Sequence, residues 1–230
     1  MFGNREKFIE KSKQGVGILT VTILIVIIVS CQGIFLGCLL IPRITLLLQI
    51  SFTGLNVLFG VLLAYVGYSY LLRRQITIFE RLNWKKLLVS VGAFLLVLLG
   101  TYVLHHFFGK QVETSDNQEI LDEMLGRVSQ GLPLFFVQVS MIIIGPIVEE
   151  IYFRGILFYE SRMFGTIFQA IWPTIIFALV HGPANLYQWS IYLIMSTGFM
   201  AVRLITKKLQ YAILTLSLIH ISEPTRLRCI

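Results

Sequence analysis

The chain has 230 residues, of which 56% are hydrophobic and 13% charged, and its formal net charge is +7. Soluble domains carry about 25% charge, so this composition excludes a water-facing globular exterior. It points to an all-α, polytopic transmembrane bundle, because backbone groups in lipid must bond internally. The positive balance implies the lipid bilayer and no nucleic acid as a partner, since most Lys and Arg residues sit at the ends of apolar segments.

A span needs about 20 apolar residues. The predicted spans are 16–41, 44–72, 86–108, 133–160, 166–182 and 186–205. That gives six full spans, and a truncated seventh begins at Leu209. Arg5, Lys7, Lys11 and Lys13 precede the first span, and Ile28-Val29-Ser30-Cys31 resembles a lipoprotein cleavage box. The apolar run nevertheless continues to Ile41, too long for a signal-peptide core, so the segment reads as an uncleaved helix. Cys31, Cys38 and Cys229 show no metal or redox spacing and read as small buried hydrophobes.

Basic residues crowd the N-terminus, the second connection (Arg73, Arg74, Arg81, Lys85, Lys86) and the end of the sixth span (Arg203, Lys207, Lys208). These clusters share one side if every segment crosses, which places them and the N-terminus in the cytoplasm of a multi-pass cell-membrane protein. The polar stretch Gly109–Gly131 is net acidic and falls outside. His105 and His106 read as interfacial, Tyr152 and Phe153 as packing, and Trp172, Tyr187 and Trp189 as aromatic anchors. Three units follow: residues 1–132 with three helices and the outer loop, a core at 133–215, and a tail at 216–230.

The fourth span contains GPIVEEIYFRG, residues 145–155. A charged residue at a helix centre costs about 2.5–3.5 kcal/mol, so Glu149, Glu150 and Arg154 unpaired would cost on the order of 7–10 kcal/mol. Glu150 and Arg154 stand four apart and share a helix face, as an ion pair requires. Glu149 is turned about 100° from Glu150. A structural pair accounts for Glu150 and Arg154 but gives Glu149 no role, and an intramembrane carboxylate is a functional candidate. Gly145-Pro146 predicts a break or kink that brings Glu149 near a helix N-terminus.

The fifth span ends in FALVHGPAN, residues 177–185. Glu149 and His181 both stand roughly 20–24 Å above the turn near Arg162–Gly165, so antiparallel neighbours bring them to one level. A carboxylate and an imidazole there can activate a water, and both types suit zinc. Gly182-Pro183 ends the helix. Asn185 reads equally as a pocket amide or a loop residue.

Glu149-Glu150-x-x-x-Arg154 followed by Phe177-x-x-x-His181 resembles the CPBP, or Abi, intramembrane metalloproteases, which include type II CAAX prenyl endopeptidases and bacterial bacteriocin-processing or immunity proteins. The resemblance covers roughly residues 133–215 and is nearest the bacterial branch. It implies Glu149 as general base, Glu150 and Arg154 as a brace, and His181 binding the water, a metal or the oxyanion. It implies a peptide or membrane-protein substrate and a divalent metal such as zinc, held by Glu149 and His181.

The family carries a further His-x-x-x-Asn or His-x-x-x-Asp motif on a later helix. Here that region reads YAILTLSLIHISEPTRLRCI, and His220 is followed four positions on by Pro224. The stretch 216–226 back-translates into a transposase-type sequencing adapter. The expectation is therefore a native sequence that stops at about Thr215 and continues with His at or next to position 216 and Asn or Asp four residues later. Three readings stand: a membrane endopeptidase, a non-enzymatic immunity or peptide-binding protein, and a small transporter using Glu149 as a proton relay.

Overall fold

The computed structural model describes residues 2–108, 123–128 and 130–222, with side chains described from residue 17 onward. Most of the acidic stretch and the tail beyond Ser222 lie outside the described residues. Every regular element among them is helical. We number seven: α1 (Phe2–Gly37), α2 (Leu46–Arg73), α3 (Trp84–Phe108), α4 (Leu132–Phe164), α5 (Thr166–Val180), α6 (Leu186–Thr206) and α7 (Leu209–Ser222). The apolar part of α1 together with α2, α3, α4 and α6 gives five helices long and apolar enough to cross a membrane. Leu47, Leu58, Leu96 and Ile167 are among many large apolar side chains left on the outside, as a lipid-facing surface requires.

The polytopic helical bundle expected from composition is what forms. Two segment lengths differ from expectation. The fifth helix has 15 residues rather than a full span, because Gly182 takes φ +62° and Pro183 follows it. That left-handed turn is open to glycine and stops the helix with His181 as its cap. The first helix begins at Phe2, well before the apolar run.

Helices α2 and α4 run parallel in a fixed register. Asn56 meets Ser140 84 positions on, its Nδ2 donating to the Ser140 hydroxyl at 2.7 Å. The same offset pairs Gly60 with Ile144, Gly67 with Ile151 and Leu71 with Gly155. A Cβ on Gly60 would stand 2.3 Å from the Ile144 side chain, and one on Gly67 2.5 Å from Ile151. Small residues let helix backbones approach in lipid, where dispersion contacts rather than water drive association.

Helix α4 is continuous but not uniformly α. Ser140–Ile144 and Ile151–Leu157 are π-helical, with the α turn Gly145–Glu150 between them. The Gly145 N–H reaches back to the Ser140 carbonyl, five residues away. The expected break at Gly145-Pro146 is therefore absent. The wider π turn admits the proline ring, which in a regular α-helix collides with the carbonyl four residues back. Glu149 consequently lies inside a long helix and not at a helix N-terminus.

The remaining helices close around this pair. Ser90 of α3 donates to the Tyr211 carbonyl of α7 at 2.6 Å and lies 2.7 Å from the Thr215 hydroxyl. Gly198 of α6 packs on Val97 of α3. Trp172 of α5 donates to Thr22 of α1 at 3.4 Å and stacks on Phe168, so it packs between helices. Tyr152 and Phe153 are buried, as expected of packing residues. Cys31 and Cys38 are only half-buried. The connection between α2 and α3 is tied to the start of α7: the Glu80 N–H donates to Gln210 Oε1 at 2.6 Å and the Asn83 N–H to the Tyr211 hydroxyl at 2.9 Å.

Candidate active site

Helices α4 and α5 are joined by a tight turn at Gly165, which takes φ +93°. Arg154 stands eleven residues before that glycine and Phe177 twelve after it. Antiparallel helices bring such positions level, and the Arg154 guanidinium carbon lies 4.3 Å from the Phe177 ring centroid. One turn further from Gly165 in each helix come Glu149 and Glu150 on one side and His181 on the other. The level matching expected from residue counts is thus realised one turn below the candidate catalytic pair.

Glu150 and Arg154 form the expected ion pair, Oε1 to Nη1 at 2.9 Å, and both side chains are fully buried. Arg154 has several further partners. Its Nη2 donates to the Ser196 hydroxyl at 2.8 Å and to the Ser196 carbonyl at 3.2 Å. Ser196 in turn donates to the Thr174 carbonyl at 3.2 Å. The rings of Phe177 and Phe199 lie 4.3 and 5.1 Å from its guanidinium carbon. A desolvated cation over aromatic faces gains about 2 kcal/mol, which offsets part of the burial cost. Arg203 donates from Nε to the Arg154 carbonyl at 3.2 Å, and its charge also acts on Glu150.

Glu149 is half-buried with Oε2 buried, and its charge reaches Arg154. It lies in the α turn between the two π segments, which sets its direction relative to Glu150.

His181 caps α5. Its Nδ1 lies 2.7 Å from the Phe177 carbonyl. A carbonyl only accepts, so Nδ1 carries the proton. The imidazole packs at a tilt against Phe177, with centroids 4.4 Å apart, and against Tyr192 at 4.8 Å. Phe177 therefore touches both Arg154 and His181, and it joins the two sequence motifs into one side-chain assembly.

Asn185 is resolved as a cap. Its side chain accepts the Gln188 N–H at 2.9 Å, and Gln188 Oε1 accepts the Ala184 N–H at 2.7 Å. This reciprocal pair resembles a capping box, and the Asn-x-x-Gln spacing was the signal for it. Ser196, Phe199 and Tyr192 were not singled out from sequence. They lie in an apolar run whose partners become visible only after folding. From sequence Arg203 is a flanking charge alone.

A catalytic zinc site takes three protein ligands. Glu149 and His181 are the two candidates, and no group of three His, Cys, Asp or Glu side chains gathers among the described residues. The donor set present falls short of zinc, and no step below is routed through a metal.

Residues 131–221 match the family described as Type II CAAX prenyl endopeptidase Rce1-like. The chain is 26% identical over 157 residues to the UPF0177 protein YvdC of Lactococcus lactis subsp. lactis, covering 64% of this chain and 57% of that protein. It is 35% identical over 108 residues to a protein named "Putative membrane peptidase YdiL" of Bacillus subtilis, covering 46% of this chain and 40% of that one. The matched stretches thus span about half the length of these relatives. No solved structure matches.

Proposed function

Residues 131–221 of this multi-pass membrane protein belong with the Rce1-like type II CAAX prenyl endopeptidases, and from that premise we propose that the chain is an intramembrane endopeptidase. Its substrate is a peptide or membrane-associated protein, and its N-terminus and basic connections face the cytoplasm. The observation that supports this reading is the single assembly Glu150–Arg154–Phe177–His181, which ties the helix that carries Glu149 to the end of the helix that carries His181.

In the proposed reaction Glu149 takes a proton from water as the oxygen attacks the scissile carbonyl carbon. The C–N bond then breaks, and the proton passes to the departing nitrogen. A neutral His181, with Nδ1–H engaged, presents Nε2 as an acceptor and so orients the water. In this tautomer it is not a donor to the oxyanion. Glu150 and Arg154 touch no substrate; they hold Phe177, and through it His181.

A second reading is favoured by one feature. Leu209 packs on Gly155, and α7 then climbs past the Gly145–Glu150 turn. Leu216 therefore stands about 10 Å above Leu209, roughly level with Glu149, and it is a buried apolar residue where the resemblance calls for His. A non-enzymatic peptide-binding or bacteriocin-immunity role follows if the chain functions with that residue.

Peptide cleavage in detergent or proteoliposomes, with and without Glu149→Gln, separates the two. The isosteric amide removes the base and keeps the shape, so hydrolysis should fall by at least 10²-fold with the fold unchanged. Full activity in Glu149→Gln would assign water activation to another residue.

A further inference from the structure

We infer that Arg203 is a positioning residue for Arg154: its Nε–H closes the π turn of α4 by taking the one carbonyl that the helix passes over. That it thereby serves a catalytic site rests on the endopeptidase reading above.

The backbone hydrogen bonds of α4 carry the inference. The π stretch Ile151–Leu157 ends where the Phe158 N–H reaches back to the Phe153 carbonyl, five residues away, and to the Gly155 carbonyl. Phe158–Glu160 is α-helical, and an α donor at Tyr159 reaches four residues back, to Gly155. The change of register therefore skips the Arg154 carbonyl. Inside a bilayer no bulk water is at hand to satisfy such a group. The Arg203 Nε–H does so, at 3.2 Å and from a different helix.

Helix α6 is built for this contact. Ser196, Phe199 and Arg203 stand three and four residues apart and share one helix face. Ser196 accepts from the Arg154 guanidinium at 2.8 Å, and Phe199 lies 5.1 Å from the same group. Arg203 takes the backbone of that residue, so one face of α6 grips Arg154 at both ends. The Arg203 guanidinium also lies 5.3 Å from the ring of Phe158, the first residue of the α register. It thus bridges the two sides of the switch. If the turn relaxed by the one residue that the π register inserts, the two halves of α4 would rotate by about 100° relative to each other. Arg154 would then lose either Glu150 or Ser196.

The role belongs to an N–H at one atom and not to the charge, so Arg203→Gln and Arg203→Met should part company. Glutamine places its amide nitrogen where arginine has Nε, and methionine has a methyl group there. Arg154-Gly155 is the one Arg-Gly step in the sequence. Full-length protein in detergent, with carbonyl-labelled arginine and nitrogen-labelled glycine, therefore gives a single NMR correlation that reports the Arg154 carbonyl. In Arg203→Met that carbonyl signal should move upfield, as on loss of a hydrogen bond. In Arg203→Gln it should stay at the wild-type position. In the cleavage assay Arg203→Met should lose at least tenfold in kcat with KM within about twofold, and Arg203→Gln should stay near wild type.

An unmoved signal in Arg203→Met overturns the inference, whatever the activity. A moved signal in Arg203→Gln overturns it in favour of the charge, and this variant decides alone if Arg203→Met fails to fold. A moved signal in Arg203→Met with undiminished kcat overturns the positioning role. If wild type cleaves no peptide, the endopeptidase reading fails by itself, and the carbonyl signal still decides whether Arg203 closes the turn.

Discussion

The guanidinium of Arg154 rests on the ring of Phe177 at 4.3 Å, so a cation from one helix is seated on an aromatic residue of the next. The same guanidinium neutralises Glu150, which has no contact with water. Charge balance inside the bilayer and the shape of the site therefore depend on one side chain. Removing a partner from a buried pair strands the other charge and costs about 3–5 kcal/mol, whereas replacing both with apolar groups of similar volume is often neutral. Arg154→Ala should lower stability by that order, and Glu150→Leu/Arg154→Met should recover most of it. Thermal melts in one detergent check the stability, and the double variant should remain inactive because His181 loses its support through Phe177.

Close approach of α2 to α4 predicts a sharp contrast among glycines. A Cβ on Gly155 would lie 2.7 Å from Leu71 and 3.2 Å from Leu209, and one on Gly67 2.5 Å from Ile151. Overpacking of this kind costs about 1–3 kcal/mol, so Gly67→Ala and Gly155→Ala should each lower the melting temperature. Gly92 meets nothing within 4 Å, and Gly92→Ala should stabilise by about 0.5–1 kcal/mol through helix propensity. A stability series on the three variants tests the packing directly.

The connection between α2 and α3 predicts an acid-sensitive contact. Lys86 donates to Glu80 at 2.7 Å. This bond, aided by the charges of Lys86 and Lys208, holds the Glu80 carboxyl below its ordinary value of 4.5. A depressed carboxyl contributes stability that is present above the unfolded pKa and lost as pH falls through the folded one. The difference in melting temperature between wild type and Glu80→Gln should therefore be constant near neutral pH and shrink below 4.5. Salt should reduce it as well, because the pair is only partly buried.

Position 216 offers a gain-of-function test. Leu216 is buried roughly level with Glu149, and the sequence resemblance places His there with Asn or Asp four residues later. The pair Leu216→His/His220→Asn should raise peptide cleavage by at least tenfold over the unmodified chain, and adding Glu149→Gln should abolish the gain. An unmodified chain already at full rate would remove the need for a third motif on α7. Resequencing the locus decides independently whether residues 216–230 are encoded there.

Much of the fold was legible because lipid imposes a simple rule: apolar runs near 20 residues become helices. The four-residue spacing of Glu150 and Arg154 follows from helix geometry alone, whereas the contact of Arg154 with Phe177 emerges only from the structure. The π segments of α4 were not legible either. Ile144 and Ile151 of these segments pack against Gly60 and Gly67, and no periodicity in α4 announces them. Pro146 looked like a break because propensity speaks for an isolated helix, and a fifth-residue hydrogen bond from Gly145 overrode it. Tyr192 and Ser196 were hidden for a different reason. Their partners are some 11 to 42 residues away in the chain, and only the folded bundle brings them together.

The constant offset of 84 between α2 and α4 makes the pair a ruler for chain length. Inserting one residue between Asn56 and Leu71 would rotate everything beyond it by about 100° and shift it by about 1.5 Å. Gly67 would turn away from Ile151, and Leu71 would leave Gly155 together with it. Insertions and deletions in descendants of this gene should accordingly gather in the connecting loops, where the offset can be reset as a whole, and the stretch from Asn56 to Leu71 should keep its length even as its lipid-facing residues drift.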